Sequence, residues 1–229
     1  MKYLKLHSWN VGYKEAVEIQ ERLKKQIILK HSFGNLNDKL IAGADVSYSK
    51  ESGRFYAGVI VFELGTMQKI EEATASGKVS FPYIPGLLSF RESPILLRAF
   101  SKIKRGPDIV MLDAQGIAHP RGIGLASHMG LLLDKPSIGC AKTRLVGTYN
   151  EMGKEAGLSS PLLIKDKIVG TVLRTKKNVK PVFVSPGHKI DLAASVDLVL
   201  KSCRGYRIPE PTRQSHNLVN RIRIYDTVK

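Results

Sequence analysis

Three acidic residues lie in stretches of the chain that otherwise favour burial. Asp45 interrupts the apolar run LIAGADVSYS, Asp113 follows IVML in DIVMLDAQG, and Glu92 lies in the largely apolar segment FPYIPGLLSFRES. An unpaired buried carboxylate is energetically costly, so each acid needs a hydrogen-bond partner or a metal ion. Ordinary interpretations exist as well. Asp45 could be hydrogen-bonded at a strand end or a bulge, Asp113 could cap a turn or a helix, and Glu92 could be a solvated helix residue paired with Arg91.

Considered together, the three acids predict a site for a hard divalent cation. Two of them would come from strands and one from a helix, which would gather carboxylate oxygens at one place. Mg²⁺ binds a few carboxylates and keeps several waters, and Mn²⁺ accepts the same kind of ligand. Such an ion stabilises charge on a phosphate and supports its hydrolysis.

Three further polar residues could assist such a site, and each also has a structural alternative. Lys142 follows the short apolar stretch SIGCA and could neutralise a phosphate, or it is an unremarkable surface lysine. His216, in RQSHNLVNRIR, could orient water, take a proton or contact the metal, or it is a structural residue of a helix. His119, in GIAHPRG, is a candidate substrate contact in a loop.

The charge of the chain favours a polyanionic partner. Thirty-six Lys and Arg residues against 20 Asp and Glu residues give a net charge of +16 over 229 residues. A surplus of that size attracts nucleic acid, ahead of a membrane surface or an acidic protein, although solubility alone is the ordinary alternative. A basic protein with an acidic pocket predicts a metal-dependent nuclease, in which basic side chains hold the phosphate backbone.

Other function classes find little support in the sequence. GIGLAS, residues 122–127, matches a dinucleotide-binding fingerprint only in part, because serine stands at the third glycine position. The sequence has neither a Gly-x-Ser-x-Gly elbow nor a complete P-loop, and its histidines lack zinc spacing. The two cysteines, Cys140 and Cys203, lie far apart. With no apolar signal core and no apolar run of about 18 residues, we expect a cytoplasmic protein without a membrane partner.

The first half of the chain reads as a helix, three strands and a second helix. A helix is predicted over residues 13–30, where Ala16, Ile19, Leu23 and Ile27 share one face. Three strands with short connections should pair as hairpins, and a second helix should run from Gly86 to Ile103, with Pro94 in its first turns or breaking it. The three strands are predicted over residues 40–49, 55–65 and 68–80.

The second half alternates strands and helices. Strands are predicted at 108–116 and 137–141, around a hairpin at 165–167, and in VKPVFVS. One helix is predicted with Leu125, Met129, Leu132 and Leu133 on one face, and another over residues 191–202. Because hairpins come first and helical crossovers follow, we expect an α/β fold with a mixed central sheet, antiparallel first and parallel later, flanked by helices. A single domain should cover residues 1–229.

Several motifs in combination resemble those of a known family. They are AGADVSY, FPYIPGLLSFRES, LDAQGIAHPRGIGLASHMG and IGCAKTRLVG, followed by SPGHKIDLAASVDLVL and RQSHNLVNR, and they extend from about residue 40 to about residue 220. On these residues the chain is similar to endonuclease V, a family of deoxyinosine-specific repair nucleases with a ribonuclease H-like fold.

The resemblance implies roles for the polar residues. Asp45 and Asp113 match the two family aspartates that bind Mg²⁺, and Glu92 would complete the acidic cluster. His216 matches a histidine near the scissile phosphate, and Lys142 matches a lysine that contacts that phosphate. The implied reaction cuts a phosphodiester bond on the 3′ side of deoxyinosine, one nucleotide beyond the lesion, and leaves 3′-hydroxyl and 5′-phosphate ends.

The resemblance also implies residues that recognise the base. The segment PYIP matches a wedge that inserts beside the lesion, and two prolines would hold its tyrosine rigid. A stacked aromatic is worth about 1–3 kcal/mol, similar to the few kcal/mol that base flipping costs, so a wedge would act at a weak pair and not at a normal one. Ala114 stands where the resemblance suggests glycine. The implied substrate contacts are Pro82, Tyr83, Ile84, Pro85, Gly86, Leu88, Ala114 and His119.

Alternatives remain open at this stage. The same acids and basic surface would serve an inosine-specific ribonuclease or another metal-dependent ribonuclease H-like nuclease, and a non-catalytic binding module would need no metal. The expected partner is DNA that contains deoxyinosine, with single-stranded DNA or RNA as alternatives, and the protein is expected to be a monomer.

Overall fold

A computed structural model describes residues 1–30 and 38–227 of the chain. Within them are eight strands: β1 Leu40–Tyr48, β2 Phe55–Glu63, β3 Lys69–Gly77, β4 Ile109–Leu112, β5 Ser137–Ala141, β6 Ser159–Ile164, β7 Lys167–Leu173 and β8 Val182–His188. Five helices accompany them: α1 Tyr13–Lys24, α2 Leu88–Phe100, α3 Leu125–Leu133, α4 Leu192–Lys201 and α5 Glu210–Thr227. None of the helices in these ranges is long and apolar enough to cross a membrane.

The strands form one mixed sheet in the order β3-β2-β1-β4-β5-β8-β7-β6. β1, β2 and β3 pair antiparallel, and β4 and β5 then join β1 in parallel, as the sequence predicts. The last three strands return to antiparallel pairing. The hairpin predicted at residues 165–167 is confirmed for β6 and β7, because Lys165 and Asp166 both have positive φ and close a tight turn. The antiparallel pairing of β8 with β5 and β7 differs from the expected parallel strands.

Helices cover both faces of the sheet and enclose two apolar cores. Successive side chains of a strand point to opposite faces. Accordingly, Ala42 and Ala44 of β1 join the core beneath α2 and α3. Ile41 joins the core beneath α4 and α5 on the other face. β1 is thus buried on both sides, and a charged residue on it needs a specific partner.

The bounds of the helices refine the prediction. α1 ends at Lys24 and not at residue 30, because the backbone N–H groups of residues 25–27 bond to carbonyls three positions back and tighten the chain into a turn. Pro94 lies inside α2 without ending it, since the apolar residues that follow, Ile95 to Leu97, are buried and hold the helix in place. α5 has 18 residues, and its bounds were not predicted from its mixed polar and apolar sequence.

Candidate functional site

Three of the predicted residues lie together where the central strands β4 and β5 end beside β1. This carboxyl end of the parallel strands is called the sheet edge. Asp45 follows Ala44 in β1, Asp113 directly follows β4, and Lys142 directly follows β5. Parallel pairing places Asp45 beside Asp113, because Ala44 lies opposite Leu112, the last residue of β4, although β1 itself continues to Tyr48. The next pair of parallel strands continues the same edge through β5. Ligands of open α/β sheets bind beyond such carboxyl ends, so the topology itself gathers two acids and a lysine.

Helix α5 adds His216 to this edge. The Nδ1 atom of His216 lies 2.7 Å from Oδ2 of Asp45. The side-chain amide of Asn220 lies 3.1 Å from Nε2 of the same ring. If that amide donates its proton, the neutral imidazole carries its own proton on Nδ1 and donates it to Asp45. The other oxygen of the Asp45 carboxylate accepts the backbone N–H of Val46 at 2.8 Å.

Asp45, Asp113 and His216 form the candidate metal centre of the described residues. One potential ligand atom from each of them lies within 4.8 Å of the other two. Two carboxylates at one strand edge offer the hard oxygen ligands that Mg²⁺ and Mn²⁺ prefer, and water completes such sites. The donor set therefore fits a divalent cation held through few protein ligands.

Lys142 forms an ion pair with Asp113. Its Nζ atom lies 2.5 Å from Oδ2 of Asp113, and the two side chains are 31% and 12% exposed. Its backbone carbonyl accepts a hydrogen bond of 2.6 Å from Arg207, which fixes the chain just after β5. The lysine is thus held beside the acid and still reaches solvent, where a phosphate could approach.

The acids of the site repel one another. Burial raises the pKa of Asp45, the nearby Asp113 raises it further, and the hydrogen bond from His216 acts in the opposite direction. Burial and the charge of Asp45 raise the pKa of Glu92 to about 8, and Arg91 opposes the shift. A bound cation would favour the ionised form of each acid. The charges of the cluster thus act on Glu92, although Glu92 is not among the three residues whose ligand atoms lie within 4.8 Å of one another.

The guanidinium of Arg91 makes its hydrogen bond and ring contacts with residues other than Glu92. It donates to the carbonyl of Phe81 at 3.2 Å. It also lies over the rings of Phe55 and Tyr48, 4.9 and 5.5 Å from their centroids. These contacts anchor the start of the PYIP segment, and Glu92 is half-buried on α2 instead of fully solvated.

The PYIP segment is fixed at both ends and projects between them. Phe81 and Leu87 are 6% and 0% exposed and pack in one apolar cluster, whereas Tyr83 is 67% exposed. The backbone N–H of Leu87 donates to the carbonyl of Ile84 at 2.9 Å and closes the turn. The wedge interpretation requires an exposed tyrosine, whereas the alternative of an ordinary turn requires a tyrosine buried in the core, and Tyr83 is exposed.

A cavity of about 450 Å³ connects this segment to the sheet edge. Asp113 and Lys142 form part of its wall. Of the predicted substrate contacts, Pro82 lies outside the lining. The others that line the cavity are Tyr83, Ile84, Pro85, Gly86, Leu88, Ala114 and His119.

His119 is buried in that wall and uncharged near neutral pH. Burial and the neighbouring Arg121 lower its pKa to about 4. Its Nδ1 atom accepts the backbone N–H of Arg121 at 3.2 Å. The proton of the neutral ring therefore resides on Nε2, and the histidine presents a neutral donor.

The lining also contains residues that were not predicted. Gln115 donates to the carbonyl of Thr143 at 3.0 Å, and its own side-chain oxygen is buried without a hydrogen-bond partner in the described part of the chain. Its position directly after Asp113 and Ala114 could have indicated from the sequence that it lines the cavity. Gln20, by contrast, lies on α1 among polar residues, and nothing in the local sequence marks it.

Comparisons with known proteins agree with this site. A family model described as endonuclease V matches residues 21–217. Endonuclease V of Dehalococcoides mccartyi is 46% identical over 216 residues, which are 94% of this chain and 96% of that protein. The crystal structure of endonuclease V from Streptomyces avermitilis has a TM-score of 0.91 at 40% identity and covers 96% of each chain.

One similar structure contains a nucleic acid. It is Ciona intestinalis endonuclease V in complex with a 24-mer DNA that contains an inosine followed by a ribo-adenosine. Its TM-score is 0.82 at 27% identity, and the match covers 94% of this chain and 98% of that chain. The ribonuclease H-like fold expected from the sequence is confirmed by these structures. The chain is an endonuclease and belongs to the endonuclease V family.

Proposed function

We propose that the protein is a DNA repair endonuclease that recognises deoxyinosine. It hydrolyses a phosphodiester bond on the 3′ side, one nucleotide beyond the lesion, and leaves 3′-hydroxyl and 5′-phosphate ends with the base still attached. The observation that carries the proposal is the cavity of about 450 Å³, which joins the exposed Tyr83 segment to Asp113 and Lys142. Lesion recognition and cleavage would thus take place in one continuous site.

The substrate proposal rests on charge and on a related structure. A net charge of +16 favours nucleic acid. The related Ciona intestinalis protein was crystallised with DNA that contains an inosine. The cavity lies within the range of about 300–1,000 Å³ that is typical of small-ligand pockets, which suits one flipped nucleotide base.

Asp45 and Asp113 would hold Mg²⁺, or Mn²⁺ in its place. When bound, the cation neutralises charge on the scissile phosphate and on the leaving 3′ oxygen. The protein residues position the reacting groups. Lys142, which pairs with Asp113, would donate hydrogen bonds to a phosphate oxygen of the bound substrate instead. A water oriented by Glu92 or His216 would attack the phosphorus in line. Its proton would pass to Nε2 of His216 once the Asn220 amide turns away from that nitrogen, and Asp45 would stabilise the imidazolium from Nδ1.

Base selection would occur in the cavity. Hypoxanthine lacks the 2-amino group of guanine, and its oxo group distinguishes it from adenine. Backbone groups of Gly86, Leu88 and Ala114 would test the base edge, and a guanine amine would clash or stay unpaired. Tyr83 would fill the space that the flipped base leaves, with its neighbours Pro82, Ile84 and Pro85 holding it in place.

A second candidate function is an inosine-specific ribonuclease. The observation that favours it is the ribo-adenosine that follows the inosine in the Ciona intestinalis complex. Only a contact to the 2′-hydroxyl distinguishes RNA from DNA at such a site. The proposal also keeps the expectation of one domain, which the continuous eight-stranded sheet supports, and of a cytoplasmic location, which the free thiols of Cys140 and Cys203 support. The monomer stays a prediction.

Cleavage of end-labelled duplexes tests the proposal. One duplex carries a single deoxyinosine, one a single inosine ribonucleotide and one no lesion, each with Mg²⁺ or with a chelator. We expect a Mg²⁺-dependent nick at the second phosphodiester bond on the 3′ side of deoxyinosine. Cleavage of the ribonucleotide substrate alone would establish the second candidate, and equal cleavage of all three would contradict lesion recognition.

A further inference from the structure

Two side chains from distant parts of the chain converge on the carbonyl oxygen of Gly86. Gln20 on α1 donates to it at 3.1 Å. Arg121, in the loop before α3, donates to it through Nη2 at 2.6 Å. The two side chains are also joined to each other, since Nε of Arg121 donates to the side-chain oxygen of Gln20 at 2.5 Å. Gln20, Arg121 and the Gly86 carbonyl therefore form a closed ring of three hydrogen bonds, here named the Gly86 clamp.

The clamp holds the backbone at a point where only glycine fits. Gly86 has a φ of +79°, in the left-handed region that side chains avoid. A Cβ atom on Gly86 would also lie 2.7 Å from Nη2 of Arg121. Gly86 directly follows the PYIP segment and lies two residues before α2. The backbone conformation at Gly86 therefore sets the orientation of Tyr83 relative to the helix that carries Glu92.

The glutamine of the clamp is buried, whereas Gly86 and Arg121 are partly exposed. Gln20 is 1% exposed. Its amide also donates to the carbonyl of Ile123 at 3.4 Å. A buried amide is costly to leave unpaired, so these hydrogen bonds hold the side chain strongly. Around it, Ile19 and Leu23 of α1 pack with Phe81 and Leu87, the two anchors of the PYIP turn.

We propose that Gln20 and Arg121 are positioning residues that hold the Gly86 turn and thereby set base selection in the cavity. The inference rests on the proposed function, because it assigns residues to the recognition of the flipped base. Neither residue touches the reacting atoms. Gln20 lines the cavity and stands one position before the part of the chain that the family model matches.

The clamp also removes an acceptor from the cavity wall. Gln20 and Arg121 both donate to the carbonyl oxygen of Gly86, which has two lone pairs, and His119 also interacts with the Gly86 backbone, so this acceptor is already occupied. A base that carries an additional amino group gains no hydrogen bond at this oxygen. Loosening the clamp would free the acceptor and widen the turn, so discrimination against ordinary bases should fall before the chemical step is affected.

Two variants and a matched control test the inference. Gln20→Met keeps the size of the side chain and removes all of its hydrogen bonds. Arg121→Lys keeps the charge, but a single ammonium lacks the planar fork that spans two partners. Gln26→Met makes the same chemical change on an exposed residue just beyond α1. Gln20→Glu keeps the acceptor for Arg121 and should restore part of the function.

The first measurement does not depend on activity. Hydrogen–deuterium exchange of the peptide that spans residues 81–90 should accelerate about tenfold in Gln20→Met and stay unchanged in Gln26→Met. Unchanged exchange in Gln20→Met would overturn the clamp, whatever the cleavage assay gives. If the unmodified enzyme failed to cut deoxyinosine DNA, the proposed function would be lost, and the exchange result would still decide whether the clamp holds the turn.

The second measurement is the preference for deoxyinosine over undamaged duplex. In Gln20→Met and Arg121→Lys, the ratio of kcat/KM values should fall about tenfold, through KM, while kcat stays within about twofold. Gln20→Glu should lie between these variants and the unmodified enzyme. A lower melting temperature with an unchanged preference would show that the clamp only stabilises the fold, and it would overturn the inference.

Discussion

The imidazole of His216 lies 2.7 Å from the carboxylate of Asp45, although 171 positions separate the two residues in the chain. Asn220, one helical turn further along α5, orients the ring from its other nitrogen at 3.1 Å. The hydrogen bond from His216 lowers the pKa of Asp45 and opposes the effects of burial and of Asp113. The histidine thus favours the ionised form of the Asp45 carboxylate, the proposed metal ligand, in addition to its proposed role with water.

Replacing either partner of this pair should abolish cleavage and spare DNA binding. We expect His216→Ala to lower the single-turnover rate at least about a hundredfold, because both the proton acceptor and the orientation of Asp45 are lost. Asp45→Asn should be at least as severe. The affinity for duplex DNA, measured by fluorescence anisotropy with a chelator present, should change less than about threefold.

Asn217→Ala is the matched control for that experiment, because Asn217 is the exposed neighbour of His216 on α5. It should cut at the rate of the unmodified enzyme. Normal cleavage by His216→Ala, or by Asp45→Asn with Mg²⁺ present, would contradict the assignment of this pair to the metal centre.

The position of α5 depends on a close backbone approach to β1. A Cβ atom on Gly43 would lie 1.8 Å from the carbonyl oxygen of Pro211, at the start of α5. Because a backbone atom cannot move aside without moving the helix, Gly43→Ala should displace α5 and with it His216. We expect a loss of about 1–3 kcal/mol in the free energy of unfolding and a larger loss of cleavage activity.

Urea unfolding and the cleavage assay together measure these two effects. Gly106→Ala serves as the control, since no atom lies within 4 Å of the position of its Cβ and its φ is ordinary. It should leave both quantities unchanged. If Gly43→Ala lost stability but retained full cleavage below its melting temperature, the docking of α5 would not be what holds His216 in place.

The local sequence identified the acidic residues at the sheet edge more readily than the polar residues that hold the wall of the cavity. Asp45 and Asp113 stand out because each interrupts a run of apolar residues, and that signal is local. Parallel pairing of β1 and β4 then follows from the order of hairpins and crossovers. Gln20 gave no comparable signal, because its partners Gly86 and Ile123 are 66 and 103 positions away. Contacts of that kind arise from packing and not from periodicity.

The pKa of Glu92 predicts how the stability of the metal-free protein depends on pH. Burial, with the charge of Asp45, raises the pKa from 4.5 to about 8. Between these values the folded state binds a proton that the unfolded state has lost. The contribution of Glu92 is therefore fully present below about pH 4.5 and is lost as the pH rises through about 8. With a chelator present, Glu92→Gln should flatten the fall of the melting temperature in this window.

Glu51→Gln supplies the comparison, because Glu51 is exposed on the β1–β2 connection. Its melting temperature should follow the pH profile of the unmodified protein. Mg²⁺ should also flatten the profile of the unmodified protein, since a bound cation favours ionised acids. A profile that Glu92→Gln leaves unchanged would show that Glu92 is not held protonated in the metal-free fold.

Tyr83 should contribute to recognition and not to stability. Its side chain is 67% exposed, so Tyr83→Ala removes little buried surface and should leave the melting temperature within about a degree. Base stacking is worth about 1–3 kcal/mol, so the preference for deoxyinosine over undamaged duplex should fall about tenfold. Tyr83→Phe should keep most of the preference, because the ring and not the hydroxyl fills the space of the flipped base.

Tyr225→Ala makes the same change at a tyrosine on α5 that is 69% exposed. It should affect neither the melting temperature nor the substrate preference, and it therefore separates a wedge from a general loss of aromatic surface. Equal losses of preference in Tyr83→Ala and Tyr225→Ala would remove the wedge from the mechanism. A loss in Tyr83→Ala that Tyr83→Phe does not restore would instead assign the effect to the hydroxyl, and recognition would then rest on a hydrogen bond and not on stacking.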